Sequence, residues 1–384
     1  MKIVFLSNYF THHQSPICKE WFKLTDGSFS FISTEDFSES RKLMGWNEEA
    51  SVSFVYHYND ETNKNISYNV NNCDALLFGS APRFFIQDRL KGKKTVFLYS
   101  ERIYKKGYNY LKWPIRLFKF WLNYGRYSSL YLLSASAYTV NDYAKHGVFI
   151  NKSYKWGYFP KTKYYDINNL LNAKKRNKII WCGRFINYKH PEIALRVAKK
   201  LKTDGYNFEL NLIGSGEKEE LLKNEIIENN LSDSVKILGA MTPEQVRNNM
   251  ETAGIFLFTS DFEEGWGAVL NEAMNSGCAV VASHAIGSVP FLVNHKKNGF
   301  VYENGNFDDL YTKVKFLLGN PDEQFKFGFN AYHTIIDLWN AEIAAKRFIQ
   351  LVDEINNHGF CDLFTDGPCS RAKIIRNNWF KEYE

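Results

Sequence analysis

Strand-length apolar runs alternate with helix-like segments along the whole of this chain, and the alternation occurs twice. A strand covered on both faces reads as a near-continuous run of Val, Ile, Leu and Phe, and the helix after it returns the chain for a parallel partner. Such a rhythm leaves room for little besides parallel sheets with helices on both sides. In the first half the runs fall at 2–7, 51–57, 75–79, 95–100 and 131–140, and in the second at 178–182, 209–213, 235–238, 255–259, 279–282 and 300–302. The expected class is therefore α/β with doubly wound domains, and 384 residues suit two cores of similar size better than one.

Residues 1–160 form the expected first domain and 178–359 the second. Between them, Trp156-Gly157-Tyr158-Phe159-Pro160 and the polar run 161–177 read as a linker, because Gly and Pro interrupt regular structure and no periodic apolar face continues. A helical pattern runs from Trp339 to Asn356 and breaks at His358-Gly359. The tail, about 360–384, carries Phe364, Trp379 and Phe380 and is aromatic enough to pack. The six cysteines include no C-x-x-C pair, which points away from zinc and from a disulfide framework and toward a reducing, cytoplasmic compartment. The first apolar run is too short for a secretory signal, and no run has membrane-spanning length, so a soluble protein is expected.

The formal charge of +6 is unevenly spread. From Arg102 to Arg126 the basic residues Lys105, Lys106, Lys112, Arg116 and Lys119 interleave with aromatic ones, and no acidic residue interrupts them. This stretch is expected to be helical. It suits either a surface lying on anionic lipid headgroups or a solvated face over an aromatic core, and the mild overall charge argues against nucleic acid.

The chemistry concentrates at Glu264-Gly265-Trp266-Gly267-Ala268-Val269-Leu270-Asn271-Glu272. An apolar strand precedes it, helical composition runs from Ala268 to Ser276, and Gly277 stands where a helix C-cap belongs. A glycine-rich strand-to-helix junction offers main-chain N–H groups and the positive end of the helix dipole to an anion, and Gly265 and Gly267 allow close approach. The two flanking carboxylates would repel that anion unless they accept from neutral hydroxyls, which is how a ribose or hexose diol is held. Together these features point to a nucleotide-sugar, against the reading of Glu264 as a solvated loop residue and Glu272 as an ordinary exposed helix residue. Arg184 and Lys189, in the loop after the strand at 178–182, supply cations at the strand end where open α/β sheets bind ligands. They would offset charge growing on a departing diphosphate.

The run from Glu264 through Glu272 to Ser283 resembles the E-x7-E region of retaining family-four glycosyltransferases, which have the two-domain GT-B architecture. Gly183-Arg184 followed by Lys189 is similar to that family's G-R-x(n)-K element. Gly214-Ser215-Gly216 resembles its strand-turn, and Ile237-Leu238-Gly239 the segment that passes near the base. Gly287-Ser288-Val289-Pro290 resembles its glycine-rich loop but departs from it at Ser288 and Phe291.

The resemblance implies two Rossmann-like domains facing a central cleft, with the tail crossing back onto the first. It implies Glu264, Arg184 and Lys189 as the residues that carry transfer. Glu272, Gly265, Trp266, Gly267, Ala268, Gly214 and Gly239 would bind the donor, with Glu272 on the ribose and main-chain N–H groups near Trp266 and Gly267 on sugar and phosphates. It implies no protein nucleophile, since the departing phosphate helps to deprotonate the acceptor.

The first domain matches less tightly. Its loop after the first strand lacks the family's frequent glycine pair and carries His12 and His13, which with Glu101 are the weaker candidates for acceptor contact, against ordinary solvated histidines and an Arg/Glu surface pair. No D-x-D metal site is evident, Asp261-Phe262-Glu263 being the nearest approach, so no metal and no cofactor are expected beyond the nucleoside diphosphate sugar as co-substrate. The expected acceptor is a saccharide or glycolipid in surface polysaccharide or glycolipid synthesis, with peripheral contact at the inner face of the membrane.

Other readings compete. A sugar epimerase or phosphorylase would share the architecture, and a non-catalytic carbohydrate-binding or assembly subunit would share the fold without turnover. A nicotinamide oxidoreductase is disfavoured because no G-x-G-x-x-G follows the first strand.

Overall fold

The computed structural model describes residues 1–36, 52–58, 63–108 and 113–383. Two compact units emerge, one made of 1–161 with 339–376 and the other of 162–338 with 377–384. Each is built on a wholly parallel sheet.

The first sheet takes β1 (Ile3–Ser7), β2 (Phe29–Ser33), β3 (Val55–His57), β4 (Ala75–Phe78), β5 (Val96–Ser100), β6 (Leu130–Ser134) and β7 (Ser153–Lys155) in the order β3-β2-β1-β4-β5-β6-β7. β1 is buried at every position, as a central strand covered on both faces should be. Val4, Leu6, Leu76 and Leu132 belong to the core on one side. On the other, Trp21 stacks on Trp156 with centroids 6.0 Å apart, and Phe348 lies 5.1 Å from both Trp21 and Phe97.

The second sheet takes β8 (Lys175–Cys182), β9 (Glu209–Ile213), β10 (Val235–Ile237), β11 (Ala253–Phe258), β12 (Ala279–Ser283) and β13 (Gly299–Tyr302) in the order β10-β9-β8-β11-β12-β13. All six positions of β11 are buried.

Several expectations change. The helix Ala341–His358 belongs to the first unit, not to a second domain ending at 359, because Phe348 on its inner face completes the aromatic core around Trp21. The run 161–177 is not a linker: Lys161 closes the first unit and 162–177 belong to the second. Asp166 caps the helix Ile167–Ala173 by accepting from the Asn169 N–H, and Ile167 and Leu171, one turn apart, bury against Tyr332. β8 then begins at Lys175.

The tail divides. Lys155 N donates to Ser370 O at 2.7 Å and Cys369 N to Lys155 O at 2.8 Å, which covers the β7 edge, whereas Phe380 packs on His284 in the second unit. The run 131–140 is a strand only to Ser134, whose hydroxyl turns to Ser136 O at 2.7 Å before the helix Thr139–Ala144. β2 and β7 carry weak signals, one broken by serines and the other three residues long. In the basic aromatic stretch the helix Trp113–Phe120 runs into a single π turn, Trp121–Gly125, while 109–112 with Lys112 lie outside the described residues, as does position 51.

Candidate functional site

In the second unit the site assembles at the C-terminal ends of neighbouring strands. β8 leads into Gly183 and Arg184, then a 3₁₀ turn over Asn187–Lys189, then His190 in the left-handed region (φ +51°) before the helix Pro191–Thr203. That conformation costs a non-glycine residue on the order of 1 kcal/mol, so something must hold it. β11 leads into Thr259, which fastens the two loops together. Its hydroxyl accepts from Trp181 Nε1 at 2.7 Å and donates to Lys189 O at 2.7 Å and His190 O at 3.1 Å. Asp261 N adds a bond to Tyr188 O at 3.0 Å.

Across this junction Lys189 Nζ donates to Glu264 Oε2, and Ser260 Oγ donates to the same oxygen at 3.0 Å. The pair is largely shielded from solvent, at 12% and 10% side-chain exposure, where a charge needs its partner. Gly267 has φ +82°, and a Cβ there would come within 2.4 Å of the Phe258 ring, so only glycine suits this bend. The following helix is Val269–Asn275, and Gly277 takes the left-handed conformation after it (φ +67°). Trp266 is fully buried, with Nε1 donating to Asn271 Oδ1 at 2.9 Å. Its indole is therefore core, and only main chain at that position is available to a ligand.

Glu272 is half-buried, and burial raises its carboxyl above the usual range while Arg247 opposes the shift. Arg247 Nη1 donates to Glu272 O at 2.6 Å and Nη2 to Asn275 Oδ1, pinning the helix that carries the acid. The Cys182 thiol is pushed up to about 12, first by burial and then by the Glu272 carboxylate, with Lys189 pulling the other way. The glutamate, the lysine and the end of β8 thus lie within electrostatic reach of one another.

The glycine turns align beside them. Gly214 N donates to Gly239 O at 2.8 Å and Gly183 N to Ile213 O at 3.0 Å. A Cβ on Gly214 would fall 1.8 Å from Gly183 O, so two strand-end loops lie almost in backbone contact. Arg184 is exposed and turns to the Tyr188 hydroxyl at 2.9 Å, so it is not brought to Glu264 as Lys189 is. Asp261 is engaged by His190 and by the Glu263 N–H, and among the described residues no group of three or more His, Cys, Asp or Glu side chains could hold a metal ion. Sequence reasoning missed Thr259, Ser260 and Arg247. The first two are polar residues ending an apolar run, a readable signal, whereas Arg247 has no local one.

The first unit brings its three candidates into one neighbourhood. The His12 and His13 rings lie 3.9 Å apart, and His13 lies 5.8 Å from the Tyr158 ring. Tyr158 Oη donates to Glu101 Oε1 at 2.9 Å, and Lys105 Nζ to Glu101 Oε2 at 2.8 Å. Burial, and then His12, bring the His13 pKa down to about 3, so its ring is neutral. The Arg/Glu surface pair is not formed, since Arg102 pairs with the buried Asp142 at 3.5 Å. Tyr158 is the residue the sequence did not disclose.

Residues 165–334 match the family model described as glycosyl transferases group 1. An uncharacterized glycosyltransferase of Haemophilus influenzae is 33% identical over 151 residues, 39% of this chain and 42% of that protein. The amylovoran biosynthesis glycosyltransferase AmsK of Erwinia amylovora is 33% identical over 183 residues, 46% of this chain and 45% of that one. The chain thus spans less than half the length of these two relatives. In three dimensions it is similar to HepE of Anabaena, solved in complex with UDP, with a TM-score of 0.66 at 14% identity over 92% of this chain and 100% of that one. Residues 165–334 thus carry the match to the group 1 glycosyltransferases, and the two parallel Rossmann-like sheets share the GT-B fold of that solved structure.

Proposed function

We propose that the protein is a retaining glycosyltransferase that moves a sugar from a nucleoside diphosphate sugar to a saccharide or lipid-linked acceptor in surface polysaccharide or glycolipid synthesis. The observation that carries this reading is the meeting of Lys189 with Glu264 in the matched segment, beside the helix that carries Glu272. Lys189, with Arg184 turning in from its tyrosine, would stabilise the departing diphosphate, as preorganised charge does best in a shielded site. Glu264 would accept from donor-sugar hydroxyls and Glu272 from the ribose, while main chain at 265–268 would meet sugar and phosphates. Gly239 faces open space that would admit the nucleotide, and Gly214, packed on Gly183, would hold the adjoining donor-side turn. His12, His13 and Glu101 would face the acceptor. AmsK acts in amylovoran biosynthesis and HepE was solved with UDP, which supports this class of donor and product.

Catalysis in this proposal needs no metal and no cofactor. The test is a panel of nucleotide-sugars with a chelator present and absent, read by nucleoside diphosphate release and product analysis. Donor-dependent release with the anomeric configuration kept, unchanged by the chelator, is expected. An epimerised donor, phosphorolysis, or binding without turnover would replace the reading with the epimerase, the phosphorylase or the non-catalytic subunit. Glu272→Gln is expected to weaken nucleoside diphosphate binding about tenfold, roughly one charge-assisted hydrogen bond, with the fold intact.

The place of action belongs to the same proposal. No helix among the described residues is long and apolar enough to cross a membrane. The helix Trp113–Phe120 buries no residue and presents Trp113, Ile115 at 75% and Phe118 at 63% exposure, with Trp121 following and Lys119 and Arg126 at the surface. Aromatic and cationic groups together fit the headgroup region of an anionic leaflet, and the inner face of the membrane is the site we assign. Flotation with phosphatidylglycerol vesicles, absent with phosphatidylcholine alone and lost in Phe118→Ser, is the expected result.

A further inference from the structure

Lys189 and Glu264 come from different loops, and His190 stands between those loops. Its Nδ1 lies 3.0 Å from Glu192 Oε1 and its Nε2 3.0 Å from Asp261 Oδ2. Carboxylates facing both ring nitrogens are satisfied together only by an imidazolium, which donates on both sides. A neutral ring turns a lone pair toward one of them. Both acids are themselves fixed. Lys218 Nζ, from beyond β9, donates to Glu192 Oε2 at 2.9 Å, and Asp261 Oδ1 accepts from Glu263 N at 2.8 Å. Glu264 N in turn donates to Asp261 O at 3.1 Å. A continuous path of charged contacts therefore joins Lys218, Glu192, His190 and Asp261, with Lys189 next to its centre and Glu264 tied to its end.

We propose that His190 is a positioning residue of the transfer site, which as a double donor locks the 188–191 segment to the 261–264 turn and so sets Lys189 against Glu264. The lock also accounts for a histidine in a left-handed conformation that glycine or asparagine adopts at less cost. The inference rests on the transferase reading for its kinetic consequence, though not for the lock itself. The hydrogen bond to Glu192 raises the ring pKa above the ordinary histidine value; burial works against it, and Asp261 adds to it. Raised relative to the unfolded chain, the ring contributes fully below about pH 6.5, and its contribution is lost as pH rises through the folded value. The charged groups facing it are Glu192 and Asp261, with Lys218 behind the first and Lys189 adjacent.

The test uses the full chain and His190→Asn, since asparagine tolerates the left-handed backbone, donates a hydrogen bond and does not titrate. Amide exchange over 186–190 and 260–266 is compared at about pH 6, below the ordinary histidine value, and at about pH 8.5, well above it. The wild type is expected to protect these amides about tenfold more than the variant at the lower pH, with the gap closing at the higher, roughly the value of one charge-assisted bond. Equal exchange of the two proteins at both values overturns the lock, whatever the enzyme's activity.

The second measurement is kcat/KM with UDP-glucose, UDP-N-acetylglucosamine and GDP-mannose in turn. The wild-type value should fall over the same interval and the His190→Asn profile should be flat. Coincident profiles overturn the positioning role. An exchange difference with no donor turned over supports the lock and sinks the transferase reading.

Discussion

The two units hold their candidate residues by different means. In the second, hydrogen bonds hold most of the constellation at strand ends: Thr259 to the Lys189 and His190 carbonyls, Ser260 and Lys189 to Glu264, and Arg247 to the main chain of the helix bearing Glu272. In the first, His13 and Glu101 are related chiefly through the Tyr158 ring and hydroxyl, with aromatic neighbours such as Tyr99 6.0 Å away. The diphosphate of the proposed donor has one shape and charge, so a site for it would need glycine turns and fixed charges at set spacings. A surface of rings and one carboxylate recognises hydroxylated faces of many kinds, and it constrains sequence far less.

The contrast can be broken at several levels, beginning with the aromatic core. Phe348→Ala should cost about 4 kcal/mol, as large-to-small changes at buried aromatics do, and hydrogen exchange should show the loss in β1–β6 with β8–β13 still protected. Loss of protection in both sheets together would mean the units do not fold separately. In the second unit, Gly214→Ala should cost about 3 kcal/mol from backbone overlap at positive φ. Gly239→Ala, where the same atom meets open space, should cost about 1 kcal/mol. Urea midpoints that rank the two equally would refute the close approach of the strand-end loops.

Smaller effects sharpen the proposed acceptor side. Tyr158→Phe removes one hydrogen bond to Glu101 and should raise the acceptor KM several-fold, roughly 1 kcal/mol, with nucleoside diphosphate affinity unchanged by calorimetry. A matching loss of nucleotide affinity would remove Tyr158 from the acceptor side. A separate effect is on pH dependence. His13 has a folded pKa of about 3, below the ordinary 6.5. The unfolded chain therefore takes up a proton that the fold refuses, and stability of the first unit should decline as pH falls below about 6.5, with no such contribution above it. The urea midpoint of His13→Asn should vary less between about pH 7 and about pH 4.5 than that of the wild type.

The sequence disclosed much of the second sheet because its central strands carry buried apolar runs, and β8 and β9 are followed directly by Gly183 and Gly214. Glu209–Ile213 stands as expected, β8 begins three residues earlier than it reads, and β11 begins two earlier and ends at Phe258, one short of Thr259. The neighbourhood of Lys189, Glu264 and Glu272 was legible for a related reason, since a strand-to-helix junction concentrates its chemistry in a few consecutive positions. What escaped was non-local or short. β7 has three residues, the cap at Asp166 was hidden in a polar run, and Arg247 reaches Glu272 across 25 positions. The membership of helix Ala341–His358 could not be read either, because an amphipathic helix states that it has a partner and not which one.

That helix has a consequence for biosynthesis. Residues 162–338 emerge from the ribosome with all six strands of their sheet in hand, whereas the unit begun by Met1 waits for Phe348 before its aromatic layer can close. At roughly 5–20 residues per second the earlier-made half stays incomplete for many seconds after its last strand is synthesised. The later-made sheet is therefore complete before the earlier aromatic layer closes, and nascent chains stalled shortly before position 339 should display Trp21 and Trp156 to chaperones.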